Sequence, residues 1–398
     1  MQHVPWNLDG HSHQVRRVIR RLLPWLLAAH VGCVVEDQRT DEPWIWELPD
    51  HLPPPVVPDA HPLTVAKVEL GRHLFYEERL SVTGDISCAT CHEQARAFTD
   101  GRATSIGADG VPGFRNAMPL ANLAWMPTLT WANPVLEELE AQTLVPLFLD
   151  APLEMGAQFV IDEALAFFAE DAAWRQRFRA AFPDEDDPVT TASVVRGLAA
   201  FQRVLVSANS PYDRWLAGDR DALDPAALRG LELFASDRLG CATCHDGVLQ
   251  TASVRHLDDP ERRSRFENTG LYDLGEQGRY PSPNFGLYEF TRDPRDMGRH
   301  RVPSLRNIAV TAPYMHDGSV QDLDAVIDHY AAGGRTILEG PLAGVGADNP
   351  HKSPLVRGFE IEASERADLV AFLHALTDTS FLTDPRFADP DAPEAVPF

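Results

Sequence analysis

The sequence predicts a mostly α-helical protein built as two small lobes with long loops. Two segments, 65–92 and 225–245, share one pattern, in which apolar residues at helical spacing lead into Cys-Ala-Thr-Cys-His. Such spacing places the apolar side chains on one face of a helix. Strand-like alternation is scarce, and 32 prolines with 26 glycines favour long ordered loops between helices. The repeat therefore predicts one helical lobe around each motif.

Length and charge exclude several classes of protein. The chain has 398 residues, which suggests two or three domains at roughly 150 residues each. Its 44% hydrophobic and 24% charged residues are globular values, so wholesale disorder is excluded. The formal net charge of −24 disfavours nucleic acid and anionic membranes as partners, because both would repel the protein.

The N-terminus has the pattern of an export signal. Four arginines precede the apolar run 22–35, which is too short to span a bilayer. Val31-Gly32-Cys33 resembles the end of a lipoprotein cleavage site, so we expect lipid attachment at Cys33, with ordinary signal cleavage nearby as the alternative. Residues 1–35 are thus interpreted as a lipoprotein-type signal. This predicts a periplasmic protein that contacts the membrane only through the lipid.

The remaining chain divides around the two motifs. Residues 36–60 are interpreted as a tether, 61–215 as an N-terminal domain, 216–380 as a C-terminal domain and 381–398 as a tail. Besides the helices before each motif, helical patterns lie at about 162–181, 189–206, 320–330 and 363–377, the last beginning near Ser364.

The pentapeptide Cys-Ala-Thr-Cys-His occurs at 88–92 and again at 241–245. Two thiols on one turn can form thioethers to the vinyl groups of a haem, and the adjacent histidine presents its imidazole to the iron. A zinc ribbon also uses such cysteine pairs. It does not need a histidine after both, however, and these pairs lie about 150 residues apart. The motifs predict two c-type haems attached through Cys88, Cys91, Cys241 and Cys244, with His92 and His245 as iron ligands.

Around these motifs, over about 60–380, the chain resembles the bacterial di-haem cytochrome c peroxidase/MauG superfamily. The resemblance rests on Ala97-Phe98-Thr99-Asp100-Gly101, Arg115-Asn116, Glu154-Met155, Val302-Pro303-Ser304-Leu305-Arg306-Asn307 and Thr311-Ala312-Pro313-Tyr314-Met315-His316-Asp317-Gly318. Within it, residues 128–134 and 145–148 are similar to the MbnH branch. The resemblance implies two cytochrome c-like haem lobes and a peroxidase-type oxidoreductase. Members of that branch act beside a partner protein, MbnP, and oxidise a tryptophan in it.

The resemblance also implies that the two haems differ in their second axial ligand. Many di-haem peroxidases carry a distal histidine at the position of Ala108, and alanine cannot bind iron. Haem 1, at 88–92, is therefore expected to be open without prior reduction, unless a loop shift supplies another ligand. Tyr330 corresponds to the second ligand of haem 2, where di-haem peroxidases have methionine and MauG and MbnH have tyrosine. The alternative is a core tyrosine, with His329, Met297 or Met315 as the ligand.

Three further residues are implied in peroxide chemistry. Trp131 matches the tryptophan between the two haems, where an indole can pass an electron; the alternative is a packed core aromatic. Heterolysis moves a proton between the two peroxide oxygens, so an acid–base group is expected beside the iron. Glu154 and Gln142 match the residue pair that the family has on this distal side. The neighbouring Glu137, Glu138 and Glu140 are interpreted as a solvated helix face.

The resemblance implies one calcium ion between the haems, at the positions of Asn116, Thr311 and Pro313. Calcium takes hard oxygen ligands, and the family uses mostly carbonyl oxygens and waters there. The alternative is turn chemistry at Asn116 and Pro313. The surface tryptophan that precedes the second motif of MauG corresponds to Leu239, so a MauG-like electron exit is not supported.

Together these features predict a di-haem enzyme that reacts with hydrogen peroxide at haem 1. The resemblance implies that two oxidising equivalents are stored as a bis-ferryl state shared through Trp131. They would then oxidise an aromatic side chain, such as tryptophan, of a partner protein of the MbnP kind. One alternative is a cytochrome c peroxidase supplied with electrons by a small redox protein. Another is a non-enzymatic di-haem electron carrier, which ready binding of CO or cyanide to haem 1 would exclude.

Overall fold

The computed structural model describes residues 42–398, so the predicted export signal and Cys33 lie outside the described residues. The described chain is mostly helical, which confirms the predicted fold class. Its helices are α1 Val65–Phe75, α2 Cys88–Cys91, α3 Leu139–Phe148, α4 Ile161–Glu170, α5 Ala172–Ala181, α6 Thr191–Arg203, α7 Pro211–Leu216, α8 Pro225–Ala235, α9 Tyr288–Thr291, α10 Leu323–Ala331 and α11 Ala363–His374. Within residues 42–398, no helix is long and apolar enough to cross a membrane.

Helices α1 and α8 precede the two motifs as expected, and each has 11 residues. Each crosses a second helix at a glycine. A Cβ at Gly71 of α1 would lie 1.9 Å from the carbonyl oxygen of Gly197 in α6. A Cβ at Gly230 of α8 would lie 2.0 Å from the carbonyl oxygen of Asp368 in α11. Because only glycine permits such an approach, the duplicated pattern produces two similar helix pairs.

The predicted helix at 162–181 is two helices. The break falls at Asp171, which has extended backbone angles and whose carboxylate accepts hydrogen bonds from the N–H groups of Ala173 and Trp174. An aspartate in that role begins a new helix rather than continuing the old one. The other expected helices are present as α6, α10 and α11, with ends within a few residues of those predicted.

Two clusters of buried side chains form the cores. The first spans Leu52 to Leu205 and also includes Leu249, Phe381 and Phe387. The second spans Phe234 to Leu376. One core therefore surrounds each motif, while the domain boundaries 61–215 and 216–380 stay predictions.

Both ends of the described chain pack on the first core. Trp44 and Trp46 contact it, Leu52 is buried in it, and the indole N–H of Trp125 donates to the carbonyl of Pro53 at 2.7 Å. The buried Arg72 donates to the carbonyls of Pro385, Ala388 and Val396. Residues 42–60 and 381–398 are thus held by specific contacts, and the described part of the predicted tether does not run free.

Two short antiparallel sheets complete the described fold. Strand β1 (Phe266–Glu267) pairs with β2 (His300–Arg301), in the register Phe266 to Arg301 and Glu267 to His300. Strand β3 (Thr336–Ile337) pairs with β4 (Gly344–Val345). The first sheet matters for the site, because the buried His300 and Arg301 of β2 line the same cavity as the second motif.

Candidate haem sites

The first motif forms a single helical turn that ends at a histidine. Cys88–Cys91 is α2, and Nδ1 of His92 lies 2.7 Å from the carbonyl oxygen of Phe98. A carbonyl only accepts hydrogen bonds, so Nδ1 carries the proton and Nε2 keeps its lone pair. Burial lowers the pKa of His92 and keeps the ring neutral. Such a ring is oriented and electronically suited to bind a metal through Nε2.

The second motif has a different backbone conformation but orients its histidine in the same way. Cys241–Thr243 is a 3₁₀ turn rather than an α-helix. Nδ1 of His245 lies 3.1 Å from the carbonyl oxygen of Gln250, and burial lowers the pKa of His245 to about 4. His245 therefore also presents a neutral ring that a backbone carbonyl orients through Nδ1.

The cysteines do not assemble a zinc ribbon. Among residues 42–398, the only convergent group of three or more metal-binding side chains contains no cysteine. Burial raises the pKa of Cys88 to about 12 and that of Cys241 to about 11, so these groups are thiols rather than thiolates. Separate thiol pairs, each beside a neutral histidine, fit covalent haem attachment and not a four-cysteine metal site.

Ala108 and Glu154 meet near the first motif. The backbone N–H of Ala108 donates to the carbonyl of Glu154 at 2.9 Å, and a Cβ at Gly107 would lie 2.0 Å from the carbonyl oxygen of Leu153. Glu154 is exposed by its residue surface, yet the surrounding protein desolvates its carboxylate enough to raise its pKa. Its charge acts on both Cys88 and Cys91. The carboxylate therefore lies near the first haem-attachment segment.

Gln142 lies on α3, whose Pro146 carbonyl accepts a hydrogen bond from the N–H of Met155 at 3.1 Å. This bond ties α3 to the residue after Glu154. The side-chain oxygen of Gln142 is buried and has no hydrogen-bond partner among the described residues. Such an orphaned polar atom is costly unless a ligand or water satisfies it, so it fits the wall of a binding site.

The glutamates beside Gln142 do not all face solvent. Glu140 is buried and forms a two-pronged ion pair with the buried Arg203, at 3.0 and 2.9 Å. Glu137 pairs with Arg255 and Arg263, and only Glu138 is exposed. The expectation of a solvated face is wrong for Glu140, because α6 supplies a cation that the local sequence does not reveal.

His245 lines a cavity of about 240 Å³, together with Cys241, Cys244, Trp131 and Tyr330. Of the alternative ligands considered, Met315 also lines it, whereas Met297 and His329 do not. Burial raises the pKa of the Tyr330 phenol. A phenolate there would need a cation such as ferric iron beside it. Tyr330 and Met315 are therefore the remaining candidates to face His245.

Comparison with known proteins identifies the family. A family model described as di-haem cytochrome c peroxidase matches residues 65–221. The chain is 36% identical over 322 residues to the methylamine utilization protein MauG of Methylorubrum extorquens, covering 80% of each. The chain belongs to the di-haem cytochrome c peroxidase family. Membership makes it an oxidoreductase and implies two haems.

Other members of this family cover most of the chain. It is 35% identical over 344 residues to the cytochrome-c peroxidase IdrP1 of Denitromonas iodatirespirans, covering 82% of this chain and 86% of that protein. A MauG-like protein associated with microbial copper homeostasis, known from a crystal structure, is 48% identical in sequence to this chain. It superposes with a TM-score of 0.85 and covers 87% of this chain and 99% of that one.

The cavity at the second motif is lined by a buried cation that has no counter-ion among the described residues. Arg301 is buried and lines it, donating to the carbonyl of Thr130 and lying 3.4 and 3.5 Å from the sulfurs of Met126 and Met118. Among the described residues no carboxylate pairs with it, and burial lowers its pKa to about 10. A buried guanidinium without a counter-ion is costly, and the carboxylates of a haem would compensate it.

A stacked pair of histidines lines the same cavity and was not anticipated from the sequence. The rings of His300 and His316 are 3.7 Å apart and nearly parallel. Burial lowers the pKa of His316 to about 3 and that of His300 well below its usual value. The Nε2 atoms of both are buried and have no hydrogen-bond partner within residues 42–398. The signal in the sequence was the His-Arg pair at 300–301. Two adjacent polar side chains in a buried strand need hydrogen-bond partners or a counter-ion, and so indicate a binding site.

Trp131 and the predicted calcium residues lie together at the edge of this cavity. The indole N–H of Trp131 donates to the carbonyl of Asn116 at 2.9 Å, and Asn116, Thr311 and Pro313 all line the cavity. Leu239 lines it too and is buried. The structure thus brings Trp131, Asn116, Thr311, Pro313 and Tyr330 to one cavity, and Ala108 and Glu154 to a second place near Cys88.

Proposed function

We propose that this protein takes two oxidising equivalents from hydrogen peroxide at the first haem site and delivers them to an aromatic side chain, such as tryptophan, of a partner protein. The observation that carries the proposal is Ala108, held by its backbone against Glu154. Residues 105–113 contain no histidine, methionine or lysine, so this stretch offers no side chain to close the iron. The site is therefore open to peroxide in the resting enzyme.

Glu154 and Gln142 perform the proton chemistry in this proposal. The raised pKa of Glu154 suits a group that accepts a proton from incoming peroxide and returns it to the departing oxygen. The unsatisfied oxygen of Gln142 is available to accept a hydrogen bond from peroxide. Both oxygen atoms of peroxide leave as water. This reduction takes two electrons from the partner's side chain and consumes two protons.

When bound, the two haems supply the iron that accepts and holds the oxidising equivalents. His92 would hold the first, and His245 with Tyr330 the second. Tyrosinate is a hard anionic donor, so it favours oxidised iron where methionine would favour the reduced metal. Trp131 would pass an electron between the sites. Its indole N–H donates a hydrogen bond to the carbonyl of Asn116.

The setting of this chemistry is also proposed. A calcium ion held through Asn116, Thr311 and Pro313 would fix the carbonyl that Trp131 contacts. The predicted signal puts the enzyme in the periplasm, with Cys33 as the point of lipid attachment. The 48% identity to a MauG-like protein associated with copper homeostasis supports an MbnP-like protein as partner.

The test is to mix fully ferric protein with stoichiometric hydrogen peroxide, without prior reduction, and record EPR and near-infrared spectra. We expect both ferric signals to disappear and a near-infrared charge-resonance band to form. Addition of an MbnP-like protein should then restore the resting spectrum and leave an oxidised aromatic residue, detectable by mass spectrometry. Binding of cyanide to the ferric protein provides an independent check that the first site is open.

The second candidate function is a cytochrome c peroxidase that draws electrons from a small redox protein. The 35% identity to cytochrome-c peroxidase IdrP1 favours it. A ferric protein that is inert to peroxide and reacts only after one haem is reduced would establish this function and overturn the proposal.

A further inference from the structure

A cluster of metal-binding side chains lies at the start of α3, and none of its residues lines the cavity at the second motif. One ligand atom each from His61, Glu138 and Glu140 lies within 4.8 Å of the others. His61 closes a turn in which its N–H donates to the carbonyl of Pro58 at 2.9 Å. Glu138 and Glu140 lie at the start of α3. The cluster therefore joins the segment before α1 to the N-terminus of α3.

Two of the three side chains have unused coordination capacity. Nδ1 of His61 is buried and has no hydrogen-bond partner among the described residues. Buried polar atoms are almost always satisfied, so this nitrogen indicates a missing partner. Glu138 is exposed, and its carboxylate has no hydrogen bond or ion pair within residues 42–398. The buried imidazole nitrogen is the observation that indicates a missing partner, and the exposed Glu138 carboxylate is available to supply an oxygen ligand.

The third side chain is already fixed in place. Arg203 binds both oxygens of Glu140, at 3.0 and 2.9 Å, and both residues are buried. Burial opposes ionisation of Glu140, but Arg203 outweighs it and holds the pKa of this carboxyl below its usual value. Metal-binding carboxylates are commonly oriented by such hydrogen bonds. Two carboxylates and one guanidinium carry a net charge of −1, which a divalent cation would reverse.

We propose that His61, Glu138 and Glu140 bind a first-row divalent cation of the Zn²⁺ type, with water completing the coordination. One imidazole and two carboxylates suit zinc, whereas calcium takes six to eight oxygen ligands. The site is separate from the calcium residues Asn116, Thr311 and Pro313. Its ion would fasten the segment before α1 to α3, the helix that carries Gln142. The inference does not depend on the proposed function.

The test is calorimetric titration of ZnCl₂ into untagged holoprotein, in buffer containing calcium so that hard-cation sites are already filled. We expect one zinc per chain. His61→Ala and Glu138→Gln should each weaken binding by about tenfold or more. His374→Ala and Glu163→Gln are the matched controls, because both residues are exposed on helices and have no partner within 42–398; their affinity should equal that of the unmodified protein.

Thermal unfolding gives a second readout. Zinc at about a hundred times its Kd should raise the Tm of the unmodified protein and of both controls, but not that of His61→Ala. Glu138 is exposed, so Glu138→Gln should fold normally and keeps the test informative even where His61→Ala does not fold. Absence of zinc binding in the unmodified protein overturns the proposal, as does equal binding by Glu138→Gln and its control.

Discussion

The two Cys-Ala-Thr-Cys-His segments share five residues and differ in what faces them. The first is an α-helical turn, with Ala108 and the desolvated carboxylate of Glu154 nearby. The second is a 3₁₀ turn that lines a mostly apolar cavity with Tyr330. Both histidines keep the same tautomer through a backbone carbonyl. The two segments thus share the attachment pentapeptide, and in the proposed function residues distant in sequence make one site react with peroxide and let the other hold charge.

The largest expected effect comes from removing the Glu154 carboxylate, which lies near the first motif and has no ion-pair partner among the described residues. Glu154→Gln keeps the shape but cannot take a proton, so the rate of the ferric protein with peroxide should fall by about 10²- to 10⁴-fold. Stopped-flow absorption measures this rate. Glu339→Gln, an exposed loop substitution, should leave it unchanged. An unimpaired Glu154→Gln would place the acid–base group elsewhere.

Ala108→His tests the openness of the first site by making it resemble the second. A histidine there would supply a sixth ligand, and peroxide would react only with the fraction of protein in which that ligand has left. If about 1% is open, the rate falls about a hundredfold and recovers on reduction of the second haem. EPR should show a low-spin first haem. Ala108→Leu controls for bulk without a ligand. A fully reactive, high-spin Ala108→His would show that position 108 does not face the iron.

Tyr330→Phe makes the converse change by opening the second site. The phenolate is lost, so we expect a high-spin second haem and no near-infrared band. The first reaction with peroxide should change by less than about tenfold, because Glu154 and Gln142 are untouched. Met315→Leu is the matched variant, since Met315 lines the same cavity. Should Met315→Leu alter the spectrum and Tyr330→Phe not, methionine is the ligand.

The sequence predicted features that depend on neighbouring residues and missed those that depend on residues far apart in the chain. Helical spacing located α1, α6, α8 and α11, because amphipathicity is a local property. Asp171 was a readable break, since aspartate followed by a run of helix formers is typical of a helix start. The packing of Arg72 onto the C-terminal residues and of Glu140 onto Arg203 was not readable. Each joins partners far apart in the chain, and nothing in either segment identifies the other.

The candidate sites show the same limit. The attachment residues follow from the pentapeptides alone, and the family resemblance supplied Ala108, Glu154 and Tyr330. Neither reasoning found Arg301 or the stacked His300 and His316. Among the described residues, the buried Arg301 has no counter-ion and the buried Nε2 atoms of His300 and His316 have no hydrogen-bond partner. These are properties of the folded chain and not of a motif.

The smallest effect is the pH dependence of the peroxide reaction, and it distinguishes the two sites without a substitution. Burial raises the pKa of Glu154 above its ordinary value of 4.5, and the carboxylate is the form that accepts a proton. The rate should therefore rise with pH, reach half its plateau above pH 4.5 and then level off. The only carboxylate lining the second cavity is Glu267, which is paired with Arg265, so that site adds no such step. Glu154→Gln should flatten the profile, whereas a step that persists in this variant would belong to another group.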